Sequence, residues 1–433
     1  MDPAIISLII FAVCVGLYIW NKLPISVTAL LGLAAMMLFE IVSFSDGFKN
    51  FGSTTVVLIC GMMVVGKATF NTGLAQLIGN KVIALAKGNE RAIVMLATAL
   101  TALLSAFLSN IATLAMMISI LTGICSTNKN VHFKNLIMPV GVASVLGGAA
   151  TMIGSTTQLT AQGIVEEYLG VGNGFSFFTF ALPAFVIIIL LVLFAGFIGY
   201  PLGKKIWGNS ETYDYIPEQD GKNQAEPNTK KMPIMVVIFV AMVILYISCD
   251  WLMPYIPNLN VGTISLCAAL ACVITGCISH KEAISSINWT VAIWFCASLG
   301  IAAGLNKSGG GALLANSFIG LFGESISPYL LYAVLVILVA VLTQFLSNST
   351  VLSIVLPVAF SITQRMGYNT YSYAVGLTIA GAMAVATPLA NTTIGMTMIA
   401  DYKFSDYAKY GGLMTLIAIV VLLILVPVLW PLV

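Results

Sequence analysis

The sequence predicts an all-α polytopic membrane protein that is built from two inverted repeats. Of its 433 residues, 59% are hydrophobic and 8% are charged, whereas a soluble domain carries about 25% charged residues. Two polar motifs, Ser109-Asn110 and Ser347-Asn348, interrupt apolar stretches, one in each half of the chain. Polar clusters at such a depth are costly unless they line a cavity or bind something. A motif that recurs once per half is typical of secondary transporters with two internal repeats.

The first half, residues 1–202, is predicted to contain five spanning segments and one re-entrant hairpin. The first segment, Ala4–Trp20, lacks a basic leader and a small-residue cleavage site, so it is interpreted as a retained span. An additional apolar stretch, about 92–125, carries the Ser-Asn motif near its midpoint. Neither of its halves reaches the roughly 20 residues that a span needs, so a hairpin with the motif at its tip is predicted. The spanning segments are about 4–20, 24–43, 54–70, 136–169 (interrupted) and 175–200.

The second half, residues 232–433, repeats this order after a hydrophilic linker at 203–231. A second hairpin is predicted at about 327–361. Because each repeat has an odd number of full spans, the second repeat must be inverted relative to the first, and its hairpin enters from the opposite side. The spanning segments are about 232–250, 261–279, 289–305, 372–400 (interrupted) and 412–431.

The charges favour one orientation of this arrangement. With the amino terminus outside and the segments alternating, only Lys49, Lys307 and Arg365 of the 18 Lys and Arg residues lie on the outer side. The positive-inside rule therefore predicts that both termini are outside, that the linker is cytoplasmic, and that the first hairpin opens to the cytoplasm. We expect the chain in the cytoplasmic membrane.

The polar residues of the spans suit sodium better than protons. The predicted spans contain no deeply placed acid, base or histidine, and proton-driven carriers usually need one. Sodium binds neutral oxygens, which hydroxyls, amides and backbone carbonyls at a helix break provide. Two matching candidate sites follow, each with a hydroxyl four residues before the motif. They consist of Ser105, Ser109 and Asn110 with the backbone near Gly154, and of Thr343, Ser347 and Asn348 with the backbone at Ala386.

The same hairpin tips predict an anion site. The second helix of each hairpin starts with unpaired N–H groups, whose dipole favours negative charge. Asn110, Asn348, Ser349 and Thr350 flank these starts. The chain has no metal-ligand cluster or nucleophile–base pair in its spans, so an enzyme is not expected. The net charge of +2 gives no indication of nucleic-acid binding.

These motifs resemble those of the divalent-anion:sodium symporter family, the sodium-coupled dicarboxylate, citrate and sulfate carriers of the ion-transporter superfamily. The tips read Leu-Ser-Asn-Ile-Ala-Thr at 108–113 and Leu-Ser-Asn-Ser-Thr at 346–350, and the broken helices read Ile-Gly-Ser-Thr-Thr at 153–157 and Ala-Thr-Pro-Leu at 386–389. The resemblance extends from about residue 4 to residue 431. It implies an elevator-type homodimer.

Carried over residue by residue, the resemblance implies two sodium sites and one substrate site. The sodium ligands would be Ser105, Ser109, Asn110 and Gly154 in one site and Thr343, Ser347, Asn348 and Ala386 in the other. The substrate contacts would be Asn110, Asn348, Ser349, Thr387 and Pro388.

The chain departs from the family pattern at three places. Ile111 replaces a threonine of the first motif and removes a hydroxyl that is expected near a substrate carboxylate. Ser349 replaces the corresponding threonine of the second motif but keeps the hydroxyl. The first break has Ser155-Thr156-Thr157 where a Thr-Pro-Pro-like sequence is common. The first departure concerns the substrate site, so a ligand with one carboxylate and an unusual oxyanion both stay open as substrates.

The sequence thus predicts a carrier that couples sodium influx to uptake of a small organic anion, with a C4-dicarboxylate as the first candidate. The alternatives within the superfamily are a proton-coupled carboxylate carrier, a sodium/proton antiporter and a sulfate or arsenite transporter. A passive channel is the alternative from another class, but channels tend to be symmetric oligomers around a pore.

Overall fold

The computed structural model is all α-helical over the residues that it describes, with no strand among them. These residues are 2–20, 22–170, 173–208, 213, 228–256, 258–313, 316, 326–388 and 391–433. The α-helices are α1 Pro3–Trp20, α2 Ile25–Leu38, α3 Phe44–Phe48, α4 Thr54–Asn71, α5 Leu74–Ala84, α6 Glu90–Ser105, α7 Asn110–Thr127, α8 Phe133–Gly147, α9 Thr156–Leu169, α10 Ala181–Phe194, α11 Tyr200–Trp207, α12 Met232–Leu252, α13 Val261–Ile274, α14 His280–Ser286, α15 Trp289–Ser308, α16 Pro328–Leu342, α17 Asn348–Met366, α18 Thr370–Gly381, α19 Thr392–Gly395 and α20 Phe404–Leu429.

The predicted class, an all-α polytopic membrane protein, is confirmed. Seven described helical segments are long and apolar enough to cross a membrane, and five further helices of 10–17 residues are apolar. The seven include α7 and α17, which the sequence analysis places in the hairpins. Their 18 and 19 residues satisfy a length criterion for spanning, whereas the sequence analysis expected shorter half-helices.

Two helix pairs and two helix breaks carry the polar motifs. Helices α6 and α7 are joined by residues 106–109, and α16 and α17 by residues 343–347. Helix α8 ends at Gly147 and α9 begins at Thr156, while α18 ends at Gly381 and the short α19 begins at Thr392. Most of the predicted linker, residues 209–212 and 214–227, lies outside the described residues.

The helices that precede the two breaks form the centre of the molecule. Every residue of α8 is buried, and in α18 every residue except Tyr371 is buried. A helix that is apolar and buried on all sides belongs to the interior of a bundle. The backbone that each of these helices leaves open at its carboxyl end therefore lies inside the protein, where it needs polar partners.

The packing of the two halves is reciprocal. Helix α2 of the first half packs on α15 of the second, and α4 of the first packs on α13 of the second. Helix α8 contacts α6 and α7, and its counterpart α18 contacts α16 and α17. Helix α9 contacts α17, and its counterpart α19 contacts α7. Exchanging each helix for its counterpart in the other half reproduces these contacts. The pattern supports a pair of related repeats, and their inversion stays a prediction.

The two halves also share a helix ending. Helix α4 is followed by Gly73 with φ +74°, and α15 by Gly309 with φ +79°. Only glycine adopts this left-handed conformation without a steric cost, which makes it a common helix terminator.

A buried carboxylate at the base of the first hairpin was not predicted. Glu90, the first residue of α6, is 6% exposed. Its oxygens lie 2.9 Å from the backbone nitrogen and Nδ1 of His132, 2.9 Å from the amide nitrogen of Asn135, and 2.6 Å from the hydroxyl of Tyr200. A buried charge that is paired and hydrogen-bonded in this way ties together the segments that donate to it. The cluster therefore fastens α6 to α8 and α11.

The predicted orientation can be tested at the two ends of α15. Lys281 lies in α14, just before α15, and Lys307 lies in its last turn; both are exposed. A 20-residue helix is about 30 Å long, so the two residues lie on opposite sides of the bilayer if α15 spans it. In a cysteine-free background, we expect an impermeant maleimide to label Lys307→Cys in intact cells and Lys281→Cys only after permeabilisation. The reverse labelling pattern would contradict the orientation.

Candidate functional site

A cavity of about 770 Å³ lies where the two Ser-Asn motifs come together. Binding sites for small ligands occupy about 300–1,000 Å³ and are concave. Exposed Lys67 and Ser285 are at its rim. Most lining residues come from 109–112 and 347–349 at the hairpin tips, 153–157 and 391–393 at the breaks, 59–70 of α4, and 285–294 around the start of α15; the others are Ile25, Phe107 and Leu159.

The first tip is held against α8 by hydroxyl groups. Ser105 Oγ lies 2.7 Å from Asn110 Oδ1 and 2.6 Å from the carbonyl oxygen of Ser144. In return, the hydroxyl of Ser144 donates to the carbonyl oxygen of Asn110 at 2.8 Å. Both serines are fully buried. Helix α7 therefore starts at a fixed place next to the end of α8.

The side-chain amide of Asn110 faces a cluster of oxygens. Its inner atom lies 2.7 Å from Ser105 Oγ, 2.8 Å from the carbonyl oxygen of Gly154 and 3.3 Å from that of Ser144. With nitrogen at this position, the two N–H groups of the amide have three oxygen acceptors within reach. With oxygen there, the Ser105 hydroxyl is the one donor among these three neighbours, and the carbonyl oxygen of Ser144 competes for its single proton.

An oxygen-only cluster is the donor set that a hard cation needs. Hydroxyl, amide and carbonyl oxygens are the neutral ligands that helix breaks provide for sodium in transporters. The residues present at the first tip therefore fit a sodium ion. They include three of the four predicted ligands, Ser105, Asn110 and Gly154, and in addition the carbonyl of Ser144.

Glycines make this close approach feasible. A Cβ atom at Gly148 would lie 2.8 Å from Asn110 Nδ2 and 2.9 Å from the carbonyl oxygen of Gly154. A Cβ atom at Gly154 would lie 2.8 Å from the Cα of Gly148 and 2.9 Å from the carbonyl oxygen of Ser105. Any side chain at either position would separate the tip from the broken helix. Gly148 was not singled out from the sequence, although the pair Gly147-Gly148 at the end of an apolar segment was a usable signal.

The second tip repeats the contacts of the first. Thr343 Oγ1 lies 2.8 Å from Asn348 Oδ1 and 3.0 Å from the carbonyl oxygen of Gly381, the last residue of α18. Thr343 is fully buried, as Ser105 is. The hydroxyl of Ser347 caps α17 by accepting a hydrogen bond from the backbone N–H of Thr350 at 3.3 Å.

The buried side chain of Gln344 holds the second break. Its amide nitrogen donates to the carbonyl of Met383, and its amide oxygen accepts from the backbone N–H of Ala386, both at 2.8 Å. Gln344 thereby satisfies the backbone on both sides of the break, which buried backbone groups require. The sequence analysis overlooked it, although an amide in an apolar stretch next to a hairpin tip was a signal.

Matching threonines close both breaks. The hydroxyl of Thr151 donates to the carbonyl oxygen of Ala106, and the hydroxyl of Thr387 donates to that of Gln344. Each acceptor residue directly follows the hydroxyl residue that contacts the tip asparagine, which is Ser105 in the first half and Thr343 in the second. These contacts pair Thr151 with Thr387, whereas matching Gly154 to Ala386, the two predicted backbone ligands, pairs Ser155 with Thr387. The correspondence at the breaks is therefore shifted by four residues.

The predicted site residues divide into those that line the cavity and those behind it. Ser109, Asn110, Gly154, Ser347, Asn348 and Ser349 line the cavity. Ser105 and Thr343 lie behind the tips. Thr387 is 5% exposed and its hydroxyl is engaged by Gln344, and neither it nor Pro388 or Ala386 is among the lining residues. The substrate contacts of Thr387 and Pro388 stay predictions.

The start of α9 contributes a residue that the sequence analysis did not assign. Thr156 lines the cavity, and its hydroxyl lies 3.1 Å from that of Ser349. The pair joins the first break to the second tip and places two hydroxyls side by side at the starts of α9 and α17. Residues 391–393, at the second break, also line the cavity.

Comparisons with known proteins agree with this architecture. The profile of the citrate transporter family matches residues 15–351. An uncharacterized transporter of Haemophilus influenzae is 28% identical over 96% of this chain and 90% of its own length. The sodium-dependent dicarboxylate transporter SdcS of Staphylococcus saprophyticus is 22% identical over 95% of this chain and 84% of its own. The crystal structure of the YdaH transporter of Alcanivorax borkumensis has the same fold, with a TM-score of 0.59 at 14% identity, over 91% of this chain and 90% of that one.

The close packing at Gly148 can be tested by thermal unfolding of the purified protein. Gly148→Ala should lower the free energy of unfolding by about 1–3 kcal/mol, because the added methyl group overpacks the Asn110 amide and the backbone of Gly154. Gly123→Ala in α7 is the control, because nothing lies within 4 Å of its added Cβ. The control should be neutral or slightly stabilising, as expected for alanine in a helix. Equal unfolding midpoints for both variants would contradict the assignment.

Proposed function

The chain belongs to the citrate transporter family, and from this membership we propose that it is a secondary active carrier that couples sodium influx to uptake of a small organic anion. Its family and relatives are transporters and not enzymes, and the chain crosses the membrane several times. We place it in the cytoplasmic membrane, with both termini outside.

The oxygen cluster around Asn110 carries the sodium proposal. A bound cation would be coordinated by the amide oxygen, which otherwise faces two carbonyl oxygens and the single proton of the Ser105 hydroxyl. Without a cation, the favourable orientation has the nitrogen inside, where its two N–H groups donate to the surrounding oxygens. The orientation of the amide therefore depends on the cation. Thr343, Asn348 and the carbonyl of Gly381 form the counterpart at the second tip.

The starts of three helices favour an anion in the same cavity. Helices α7, α9 and α17 begin at its wall, and the N–H groups at a helix start carry a partial positive charge. Helix α7 has no side-chain cap. Sodium bound behind the tips would add positive charge near the anion, so that each ligand strengthens the binding of the other. This mutual dependence is what couples the two fluxes.

A C4-dicarboxylate is the first substrate to test. The relative from Staphylococcus saprophyticus is named a sodium-dependent dicarboxylate transporter, and the family is named for citrate. The proton-coupled carboxylate carrier, the sodium/proton antiporter and the sulfate or arsenite carrier are the alternatives. We propose an elevator-type homodimer of inverted repeats, which rests on the family resemblance and on the reciprocal contacts between the two halves.

The two asparagines provide the mutational test. Asn110→Ala and Asn348→Ala should each abolish sodium-dependent uptake into proteoliposomes, because each removes an amide that serves the proposed cation and anion sites together. Asn130→Ala, in an exposed loop, is the matched control and should transport like the wild type. Thermal unfolding midpoints of the sodium-free proteins should agree within a few degrees. Wild-type uptake by either site variant would refute the assignment.

The driving ion can be identified by imposing one gradient at a time. Proteoliposomes with an inward sodium gradient and no pH gradient should accumulate labelled succinate or another carboxylate above its equilibrium level. A pH gradient alone, in sodium-free buffer, should give no accumulation. Accumulation driven equally well by pH would favour the proton-coupled alternative. Non-saturating flux that never runs uphill would favour a channel.

A further inference from the structure

The two hairpin tips present different chemistry to the cavity. In both tips the asparagine amide contacts the hydroxyl behind it, so the next residue contributes most to the difference at the wall. In the second tip this residue is Ser349, with a hydroxyl 3.1 Å from that of Thr156. In the first tip it is Ile111, whose side chain is 46% exposed and lines the cavity.

Helix α4 adds an apolar wall to the same cavity. Ile59, Met62, Met63 and Phe70 line it, and their spacing of three, four and seven residues places them along one face of the helix. Methionine side chains are flexible and adapt to apolar ligands of different shapes. The cavity is therefore lined by hydroxyl groups, among them those of Ser349 and Thr156, and by apolar side chains of α4 and Ile111.

A second carboxylate would be penalised at the apolar part. A charged group that leaves water without a hydrogen-bond donor loses its hydration without compensation. An aliphatic group in the same place gains about 0.8 kcal/mol per buried methylene, or about fourfold in affinity. Among the described lining residues, Lys67 is the one with a formal charge, and it is exposed at the rim.

We infer that this carrier recognises one carboxylate at the second tip and the start of α9, and an uncharged aliphatic end against Ile111 and α4. Ile111 is then the residue that determines specificity against a second carboxylate. The inference rests on the proposed function, which names a small organic anion as the substrate. It predicts that aliphatic monocarboxylates are better ligands than dicarboxylates of the same shape.

The test compares two ligands of matched shape on the purified full-length protein in saturating sodium chloride. 4-Methylpentanoate carries an isopropyl group where succinate carries its second carboxylate. Isothermal titration calorimetry should give a Kd for 4-methylpentanoate at least tenfold lower than that for succinate. From propionate to hexanoate, the affinity should rise about fourfold per methylene until the cavity is filled.

Substitutions at Ile111 test whether this residue determines specificity against a second carboxylate. Ile111→Thr restores a hydroxyl and should shift the ratio of the two Kd values at least tenfold towards succinate. Ile111→Val has nearly the size of threonine without its hydroxyl, so it should leave the ratio within about twofold of the wild type. Ser349→Ala should weaken the binding of both ligands by similar factors, since both place a carboxylate at this residue. Sodium-induced thermal stabilisation of each variant verifies that the cation sites remain formed.

The outcomes separate this inference from the proposed function. Tighter binding of succinate than of 4-methylpentanoate by the wild type would overturn the inference and leave sodium-coupled anion transport standing. The inference would also be overturned if Lys67→Gln weakened the binding of succinate but not that of 4-methylpentanoate, because the second carboxylate would then bind at the rim. Equal shifts in Ile111→Thr and Ile111→Val would also overturn it. Absence of sodium-dependent binding for every carboxylate would refute the proposed function itself.

Discussion

The structure depends on a hydroxyl that sits behind each hairpin tip and binds the tip to a broken helix. Ser105 contacts the Asn110 amide and the backbone of α8, and Thr343 contacts the Asn348 amide and the backbone of α18. Helices α8 and α18 are buried almost throughout, so the carbonyl groups at their ends cannot reach water. An unpaired polar group in such surroundings costs several kcal/mol. The hydroxyl lies within hydrogen-bond distance of one of these carbonyl groups and of the asparagine that begins the next helix, and it thereby fixes where that helix starts.

This constraint explains why the Ser-Asn motif could be recognised from the sequence. The serine or threonine, the Ser-Asn pair and the helix that follows must keep a constant spacing, because they close one short loop around one carbonyl group. Segment positions were readable for a related reason, since a membrane requires long apolar runs. Tertiary partners were less accessible. Gln344 satisfies a backbone break about 40 residues away in sequence, and Thr156 meets Ser349 across the two halves of the chain. Neither relation has a fixed spacing that a pattern could reveal.

The wall formed by α4 was hidden from the sequence for another reason. Ile59, Met62, Met63 and Phe70 are residues that a lipid-facing helix would also carry, so their composition does not distinguish a cavity from a bilayer. The fold places these four residues at the cavity, with α4 packed on α13 and α9. Ile111 was different, because its departure from the family pattern marked it as unusual before its position was known.

The proposed cation sites and the proposed anion selection depend on different residues. The contacts behind the tips are nearly the same in both halves, and the proposed cation sites depend on these contacts. The residue after each Ser-Asn pair, Ile111 or Ser349, differs between the halves, and the proposed anion selection depends on it. This separation has a consequence for charge. If each half holds one sodium ion, a dianion is carried as a neutral complex, whereas a monoanion leaves one net positive charge. Because neutral oxygens line the two proposed cation sites, the net charge of the loaded cavity would change only when its ligands bind or leave. The class of anion that the first tip admits therefore decides whether the membrane potential assists its uptake.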